Sequence, residues 1–214
     1  HEVERDEEER ARQAIRARNG IKYVAGIGRP QVGQTPKDVV WRRDRAELWR
    51  YRSDRRRWRP PVLIIHSLIS RSHVLDLSPG NTFVGRLLET GLDVFLIDWG
   101  YPDGADRWLT LDDYLNGYLD RCVDAVRQRH GLDAINLLGI CQGGAFSLCY
   151  SSLHPDKIRN LITMVTPVDF HTEDNMLSNW TRSMDVDLFV DTLGNVPADL
   201  MNWCYLTLKP ARLF

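Results

Sequence analysis

Residues 135–146 have the sequence INLLGICQGGAF, and this short stretch decides the fold. It combines an apolar run that suits a buried strand, a G-x-C-x-G turn centred on Cys141, and the start of a helix at Gln142. A strand that reverses this sharply into a helix strains its central residue, and glycine on either side lets the neighbouring chain approach closely. The pattern predicts a nucleophile elbow that carries cysteine in place of the more common serine.

The predicted elbow gives Cys141 a chemical role, that of nucleophile. The helix that begins at Gln142 would point its unpaired N–H groups and the positive end of its dipole at the sulfur, and both favour the thiolate form. The backbone N–H of Gln142 would also stabilise an oxyanion on the attacked carbonyl. The second oxyanion donor would come from the loop after the first core strand, at Leu68 or Ile69, and Ile69 is our candidate.

Apolar runs and helical patterns alternate on both sides of the elbow. Residues 62–65 and 94–97 are continuous apolar runs of the kind that form strands buried on both faces. The second run lies within a strand predicted at 93–98, and a further strand is predicted at 161–165. Residues 83–90 and 111–130 have the spacing of helices. Strands that alternate with helices indicate parallel βαβ units, so the fold class is α/β, with a mainly parallel sheet and flanking helices. Together with the elbow, this predicts an α/β-hydrolase fold.

Three segments of the chain differ in pattern. Residues 1–37 are predicted to be a charged N-terminal helix and a linker, and residues 38–170 to be the N-terminal part of the α/β core. Residues 171–214 have a looser pattern, with helical spacing at 185–193 and 198–208. We expect this last segment to be the start of a helical cap over the sheet.

The composition limits the classes of function. The chain has 214 residues, 43% of them apolar, which suits one packed domain. Lys and Arg number 28 against 29 Asp and Glu, so overall charge gives no reason to expect general attraction to nucleic acid or membrane. Four cysteines without C-x-x-C spacing fit reduced thiols in the cytoplasm, and no metal site is predicted. No apolar run is long enough to predict a membrane span or a signal peptide.

An arginine-rich stretch lies before the first core strand. Nine arginines fall between Arg42 and Arg59, interleaved with Trp and Tyr, a composition that is also found in nucleic-acid-binding proteins. Residues 38–42 and 48–52 are predicted to form a hairpin with its turn at 43–45. Alternate residues on such a ribbon share a face, so we expect the arginines to cover a solvated edge beside a packed aromatic face. A phosphate-bearing cosubstrate or a protein subunit could use the remaining arginines.

Other reactive residue types are expected to be structural. His66 follows a strand, and we expect it to support the oxyanion turn. Asp98 and Asp169 each follow a strand, and we expect both to cap turns. The remaining cysteines fall on apolar stripes of predicted helices and should pack as inert thiols: Cys122, Cys149 and Cys204.

Four blocks of the sequence resemble the catalytic subunit of polyhydroxyalkanoate (PHA) synthases, of the two-component class III type. They are PPVLIIHSLISRSHVLDLSPGNTFVGRLLETGLDVFLIDWGYPD, DRWLTLDDYLNGYLD, INLLGICQGG and NLITMVTPVDF, followed by LTLKP near the end. Their order and spacing make the resemblance more specific than the elbow alone. It implies an acyltransferase that polymerises (R)-3-hydroxyacyl-CoA, often 3-hydroxybutyryl-CoA, through a thioester on Cys141. CoA leaves as a product, and no further cofactor is implied.

The same resemblance implies partners and a location. We expect a second, non-catalytic subunit of the PhaE type and a homo-oligomer. We also expect attachment to polyester granules in the cytoplasm. The family completes its triad with an Asp and a His on loops after later strands, so we expect both, and the C-terminal strands, to lie beyond residue 214 and this chain alone to be inactive. Two alternatives stay open: a Cys hydrolase of the thioesterase or dienelactone-hydrolase kind, and a non-catalytic interaction module.

Overall fold

The structure is a computed structural model that describes residues 10, 13–15, 18, 21, 31–173 and 175–208. Most of the charged N-terminal helix predicted within residues 1–37 therefore lies outside the described residues. The described strands are β1 (Lys37–Arg43), β2 (Ala46–Tyr51), β3 (Val62–Ile65), β4 (Asp76–Ser78), β5 (Asn81–Thr82), β6 (Val94–Asp98), β7 (Ile135–Ile140) and β8 (Ile158–Met164).

The described helices are α1 (Phe83–Glu89), α2 (Asp120–His130), α3 (Gln142–Leu153), α4 (Met176–Arg182), α5 (Val186–Leu193) and α6 (Ala198–Leu208). Short 3₁₀ turns lie at Ser72–Leu75, Gly104–Trp108 and Pro155–Lys157. A π-helical segment, Asp113–Leu119, runs directly into α2. The single helix predicted at 111–130 is therefore present, but its first half is wound as a π-helix, a form often found at functional sites.

Strands β3, β6, β7 and β8 form the parallel centre of the sheet. Its order is β1-β2-β6-β3-β7-β8, with β3 parallel to both β6 and β7, and β7 parallel to β8. Strands β1 and β2 extend this sheet as an antiparallel ribbon beside β6. This arrangement confirms the predicted α/β class with a mainly parallel sheet and flanking helices.

Apolar side chains pack on both faces of the sheet. On β3, Leu63 and Ile65 belong to a cluster that includes residues of α2 and α3, whereas Ile64 belongs to a second cluster with residues of α1. All three of these β3 side chains are fully buried. Burial on both faces explains why the strand is a continuous apolar run, since no position on it faces water.

The arginine-rich ribbon is held by ion pairs within the chain. Arg50 lies 2.6 Å from the buried carboxylate of Asp93, which also accepts a hydrogen bond from His130. Five more arginines of the stretch reach carboxylates: Arg42 to Glu47, Arg43 to Asp44, Arg45 to Asp103 and Asp106, Arg52 to Asp38, and Arg56 to Asp93. These pairs support the expected role as a solvated, ion-paired edge, because guanidinium groups already bonded to carboxylates are poorly placed to bind phosphates.

The last described segment lies beside a loop. Helices α5 and α6 occur where helical spacing predicted them, but most of their side chains are exposed. They reach the core through an ion pair between Arg107 and Asp191 and a hydrogen bond from Asn195 to the carbonyl of Pro102. Strand β8 forms the sheet edge, where Ile162 is 52% exposed. These helices lie along the loop after β6, and the expectation that residues 171–214 begin a helical cap stays a prediction.

Candidate active site

Cys141 lies at the sharp turn between β7 and α3. Its φ and ψ angles are 55° and −125°, a region that residues with a side chain rarely adopt. Its N–H donates to the carbonyl of Met164 at 2.9 Å, and its carbonyl accepts the N–H of Gly144 at 2.9 Å. These bonds hold the strained residue between the ends of β7 and β8 and the first turn of α3. The predicted strand, strained turn and helix are thus confirmed as backbone geometry.

Two glycines let the chain pass close to the turn. A Cβ on Gly143 would lie 2.1 Å from the carbonyl oxygen of Ile65, the last residue of β3. A Cβ on Gly139 would lie 2.5 Å from the Cα of Gly144. A side chain at either position would push β3 or α3 away from the turn. These close backbone contacts explain why glycine is needed on either side of Cys141, as predicted.

An open cleft lies beside the nucleophile elbow. Cys141 is a free, partly exposed cysteine, and the next residue, Gln142, lines a cleft of about 570 Å³. The other walls come from residues 68–71, the loop 100–102 and the segment 195–205 that includes much of α6. The elbow therefore opens to a space that can hold a substrate.

The loop after β3 is tied to the elbow by the side chain of Gln142. The Gln142 Oε1 accepts the N–H of Leu68 at 3.1 Å and the hydroxyl of Ser67 at 3.3 Å. The N–H of Ile69 donates to the Ser67 hydroxyl at 3.1 Å. The predicted oxyanion donors Leu68 and Ile69 thus lie next to the elbow, but both N–H groups already have acceptors. The backbone N–H of Gln142 is in the first turn of α3, where a helix offers no acceptor.

The bond from Leu68 to Gln142 was not predicted from the sequence. The motif indicates where the backbone N–H of Gln142 lies, but a glutamine side chain can reach many partners. Only the packing of β3 beside β7 brings the loop within its reach.

His66 and Asp98 face each other beneath this loop. His66 is 2% exposed, neither ring nitrogen has a partner in the described part of the chain, and Nε2 lies 4.0 Å from Asp98 Oδ1. Burial lowers the pKa of His66 to about 4, and burial also raises the pKa of Asp98. The His66 carbonyl accepts the indole N–H of Trp99 at 3.0 Å. A neutral, buried imidazole agrees with the expected structural role.

The two aspartates after strands behave differently. Asp169 accepts the N–H of His171 at 2.8 Å, as expected of a turn cap. The turn-capping prediction is wrong for Asp98, because β6 extends through this residue and its carboxylate faces His66.

The other cysteines differ in burial. Cys122 is fully buried, and burial raises the pKa of its thiol, as expected of an inert core cysteine. The prediction is wrong for Cys149, which is exposed because the buried face of α3 passes through Ser147 and Tyr150, on another side of the helix. Cys204 is only partly buried, because α6 is packed on few neighbours.

In the described part of the chain, no group of three or more His, Cys, Asp or Glu side chains could hold a metal ion. None of its helices is both long and apolar enough to cross a membrane.

Comparisons with known proteins agree on the fold and relate the chain to one group of enzymes. A family model described as alpha/beta hydrolase fold matches residues 60–214. The chain is 57% identical to the poly(3-hydroxyalkanoate) polymerase subunit PhaC of Allochromatium vinosum over 199 residues, which are 91% of this chain and 56% of that protein. It is 47% identical to the protein of the same name from a Synechocystis strain, with 91% and 54% covered. The chain thus spans about half the length of these relatives.

A sugar hydrolase from Lactococcus lactis superposes with a TM-score of 0.49 at 15% identity, over 64% of this chain and 55% of that one.

Proposed function

Because this chain belongs to the alpha/beta hydrolase fold family, we propose that its elbow carries the nucleophile of an acyltransferase that polymerises (R)-3-hydroxyacyl-CoA, chiefly 3-hydroxybutyryl-CoA, into polyhydroxyalkanoate. The observation that carries the proposal is Cys141 at a strained strand-to-helix turn beside an open cleft. The names of the relatives, which match over 91% of the chain, support the choice of reaction.

The first step would transfer the acyl group to the enzyme. The sulfur of Cys141 attacks the thioester carbonyl, a new S–C bond forms, the bond from carbon to the CoA sulfur breaks, and the thiol proton ends on CoA. A thiol suits this exchange because one thioester replaces another at little cost. The acyl group therefore stays reactive toward the hydroxyl of the next monomer, whose oxygen forms the ester as the bond to Cys141 breaks.

The oxyanion of this step would be held by backbone N–H groups. The N–H of Gln142 is placed for this role at the start of α3. The second donor, for which we keep Ile69, would exchange its bond to the Ser67 hydroxyl for one to the oxyanion. Such an exchange is favourable because a hydrogen bond to an ionised acceptor is roughly twice as strong as one to a neutral acceptor.

The cleft beside Gln142 fits a phosphate-bearing leaving group. Arg71 lines it and lies over the ring of Tyr101, 3.0 Å from the ring centroid. In the described part of the chain, no carboxylate lies within ion-pair distance of Arg71. A guanidinium that is not bonded to a carboxylate can bind a phosphate of CoA, which supports a CoA thioester as substrate.

The resemblance supplies the rest of the proposed machinery. It implies a triad Asp and a triad His on loops after later strands, and we assign neither role to a residue of this chain. We further propose a PhaE-like second subunit, a homo-oligomer, and a location at the surface of cytoplasmic polyester granules.

Radiolabelled 3-hydroxybutyryl-CoA tests the proposed function. Incubation with the full-length protein, which includes the proposed triad Asp and His, followed by digestion, should place the label on the peptide that contains Cys141, and Cys141→Ala in the same protein should take up none. Product analysis separates the rival enzyme, since polyester indicates a synthase and free hydroxy acid a thioesterase-like hydrolase. If Cys141 carries no label and no CoA is released, the result favours the non-catalytic interaction module and overturns the proposal.

A further inference from the structure

A second, smaller cavity lies beside the cleft. Its volume is about 110 Å³, and it lies between the loop after β6, the end of the β1–β2 hairpin and the π-helical segment. Leu68 lines both this cavity and the cleft at Gln142, as do Gly100 and Pro102. The N–H of Leu68 is bonded to the side chain of Gln142. A single residue, Leu68, therefore connects the small cavity to the turn at Cys141.

The walls of the small cavity are mainly aromatic and aliphatic. Trp99 and Tyr118 are each 7% exposed, and Tyr114 and Leu109 are half-buried against the same core cluster. The rings of Trp99 and Tyr114 also contact Phe146 of α3, at centroid distances of 6.2 and 6.1 Å. These walls are therefore packed directly onto the helix that begins at the elbow.

Charged groups of this cavity are already paired with each other. Among its described lining residues, Arg45 and Asp106 carry charge, and their side chains form an ion pair at 2.8 Å. The hydroxyl of Tyr118 donates to Asp44 at 2.8 Å. A charged ligand would have to break these bonds, so the cavity fits an uncharged, apolar group.

The π-helical winding is part of this arrangement. Tyr114 and Tyr118 both lie on the π-helical segment and both line the cavity. A π-helical turn inserts an extra residue into a helix, at a cost that is commonly retained at functional sites. Here it directs two aromatic rings toward one space.

We propose that the small cavity binds the acyl group of the hydroxyacyl thioester and that Leu109 and Tyr114 limit its length to about four carbons. The inference rests on the proposed function and assigns a chain-length site to it. Size decides the limit: at 110 Å³ the cavity is smaller than the roughly 150 Å³ cavity known to take up one benzene molecule. A four-carbon acyl group fits such a space, whereas an eight-carbon group does not. Leu68 then separates the acyl side from the CoA side of the substrate.

A competition experiment tests this assignment. The full-length protein, which includes the proposed triad Asp and His, is incubated with equal amounts of 3-hydroxybutyryl-CoA and 3-hydroxyoctanoyl-CoA, and the two adducts on the Cys141 peptide are counted by mass spectrometry. The four-carbon adduct should dominate by roughly tenfold or more, since a few methylene groups in a closed apolar pocket are discriminated by that much. Leu109→Ala should reduce the ratio by roughly tenfold, because it opens the end of the cavity.

Two further variants keep the test decisive. Leu109→Phe narrows the space without leaving a hole and should slow four-carbon acylation, so it remains informative if Leu109→Ala is poorly folded. Leu111→Ala is the matched control, because Leu111 lies two residues away, is 53% exposed and does not line the cavity; its ratio should equal that of the wild type.

The outcomes separate the two proposals. Acylation of Cys141 in the wild type, with ratio and rate unchanged in both folded Leu109 variants, overturns the acyl site and leaves the proposed function standing. No adduct of either length on the wild-type protein overturns the proposed function and the acyl site with it.

Discussion

The side-chain oxygen of Gln142 accepts the backbone N–H of Leu68 at 3.1 Å, so the residue that follows Cys141 also holds the loop that follows β3. The same oxygen accepts the Ser67 hydroxyl, and Ser67 in turn accepts the N–H of Ile69. One side chain therefore positions residues 67–69 against the turn at Cys141.

Replacing this amide should loosen the loop. Gln142→Leu leaves the N–H of Leu68 without an acceptor, and we expect the free energy of unfolding to fall by about 1–2 kcal/mol, measured by urea denaturation. The rate of Cys141 acylation should fall by roughly tenfold, because the loop loses its position. Gln142→Glu keeps an acceptor and should retain most of the stability. Gln128→Leu, at an exposed position on α2, should change neither quantity.

Backbone strain at Cys141 should be measurable as a difference in the free energy of unfolding between two variants of this residue. Cys141 has a φ angle of 55°, which glycine adopts freely. We expect Cys141→Gly to be more stable than Cys141→Ala by about 1 kcal/mol in urea denaturation, while neither variant is acylated. Equal stabilities of these two variants would contradict a strained turn.

Close packing of α3 on β3 predicts a severe effect at Gly143. The methyl group of Gly143→Ala would meet the carbonyl of Ile65 at 2.1 Å, so either the strand or the helix must move. We expect a loss of about 3 kcal/mol or more in the free energy of unfolding. Gly104→Ala is the control, since a Cβ there has no neighbour within 4 Å, and it should shift stability by no more than about 0.5 kcal/mol. A Gly143→Ala protein as stable as Gly104→Ala would show that the two elements are not in contact.

The buried His66 should make stability depend on pH. Its pKa is lowered by burial to about 4, whereas the same side chain in the unfolded chain titrates near its ordinary value of 6.5. Between these values the unfolded chain binds the proton and the folded chain does not, so stability is fully present above pH 6.5 and is lost as the pH falls. From pH 7.5 to 5.0 this loss amounts to about 2 kcal/mol.

The neighbouring carboxyl group of Asp98 has the opposite effect on the pH dependence of stability, and it acts at lower pH. Burial raises the pKa of Asp98, so near that pKa the folded chain keeps a proton that the unfolded chain has released, and this contribution grows as the pH falls. We therefore compare urea denaturation at pH 7.5 and 5.0 for wild type and His66→Asn. The variant should lose less stability on acidification, and an equal loss in both proteins would rule out His66 as the source.

The guanidinium of Arg71, which lines the cleft, predicts an effect on CoA binding. Arg71→Ala should weaken binding of free CoA by roughly tenfold in titration calorimetry, the value of one charge-assisted hydrogen bond. Arg86→Ala removes an exposed arginine that pairs with Glu89 on α1, and it should bind CoA like the wild type. Equal affinities of Arg71→Ala and the wild type would show that the phosphates lie elsewhere.

Local patterns predicted much of the fold for physical reasons. The run at 62–65 is a strand with the predicted bounds, because four consecutive apolar residues can all be buried only between two layers of helices. The elbow around Cys141 was predictable because glycine spacing reports backbone clashes that occur within a few residues of one another. Burial within a helix was harder: Cys149 lies on a helix as predicted but faces outward, since the neighbours of α3 decide which side is covered.

The sequence by itself determined the α/β class, the strained turn and the identity of the residue at its apex, because each depends on apolar periodicity or on the size of adjacent residues. Only the tertiary structure decided that Gln142 holds Leu68, that Asp98 faces a buried His66, and that Tyr114 and Tyr118 enclose a small cavity beside the elbow. The residues in these pairs are between 4 and 74 positions apart in the sequence, and the Gln142–Leu68 pair has the largest separation. Separation along the chain does not indicate which side chains meet. They arise from the order and register of the strands, which only the packed sheet specifies.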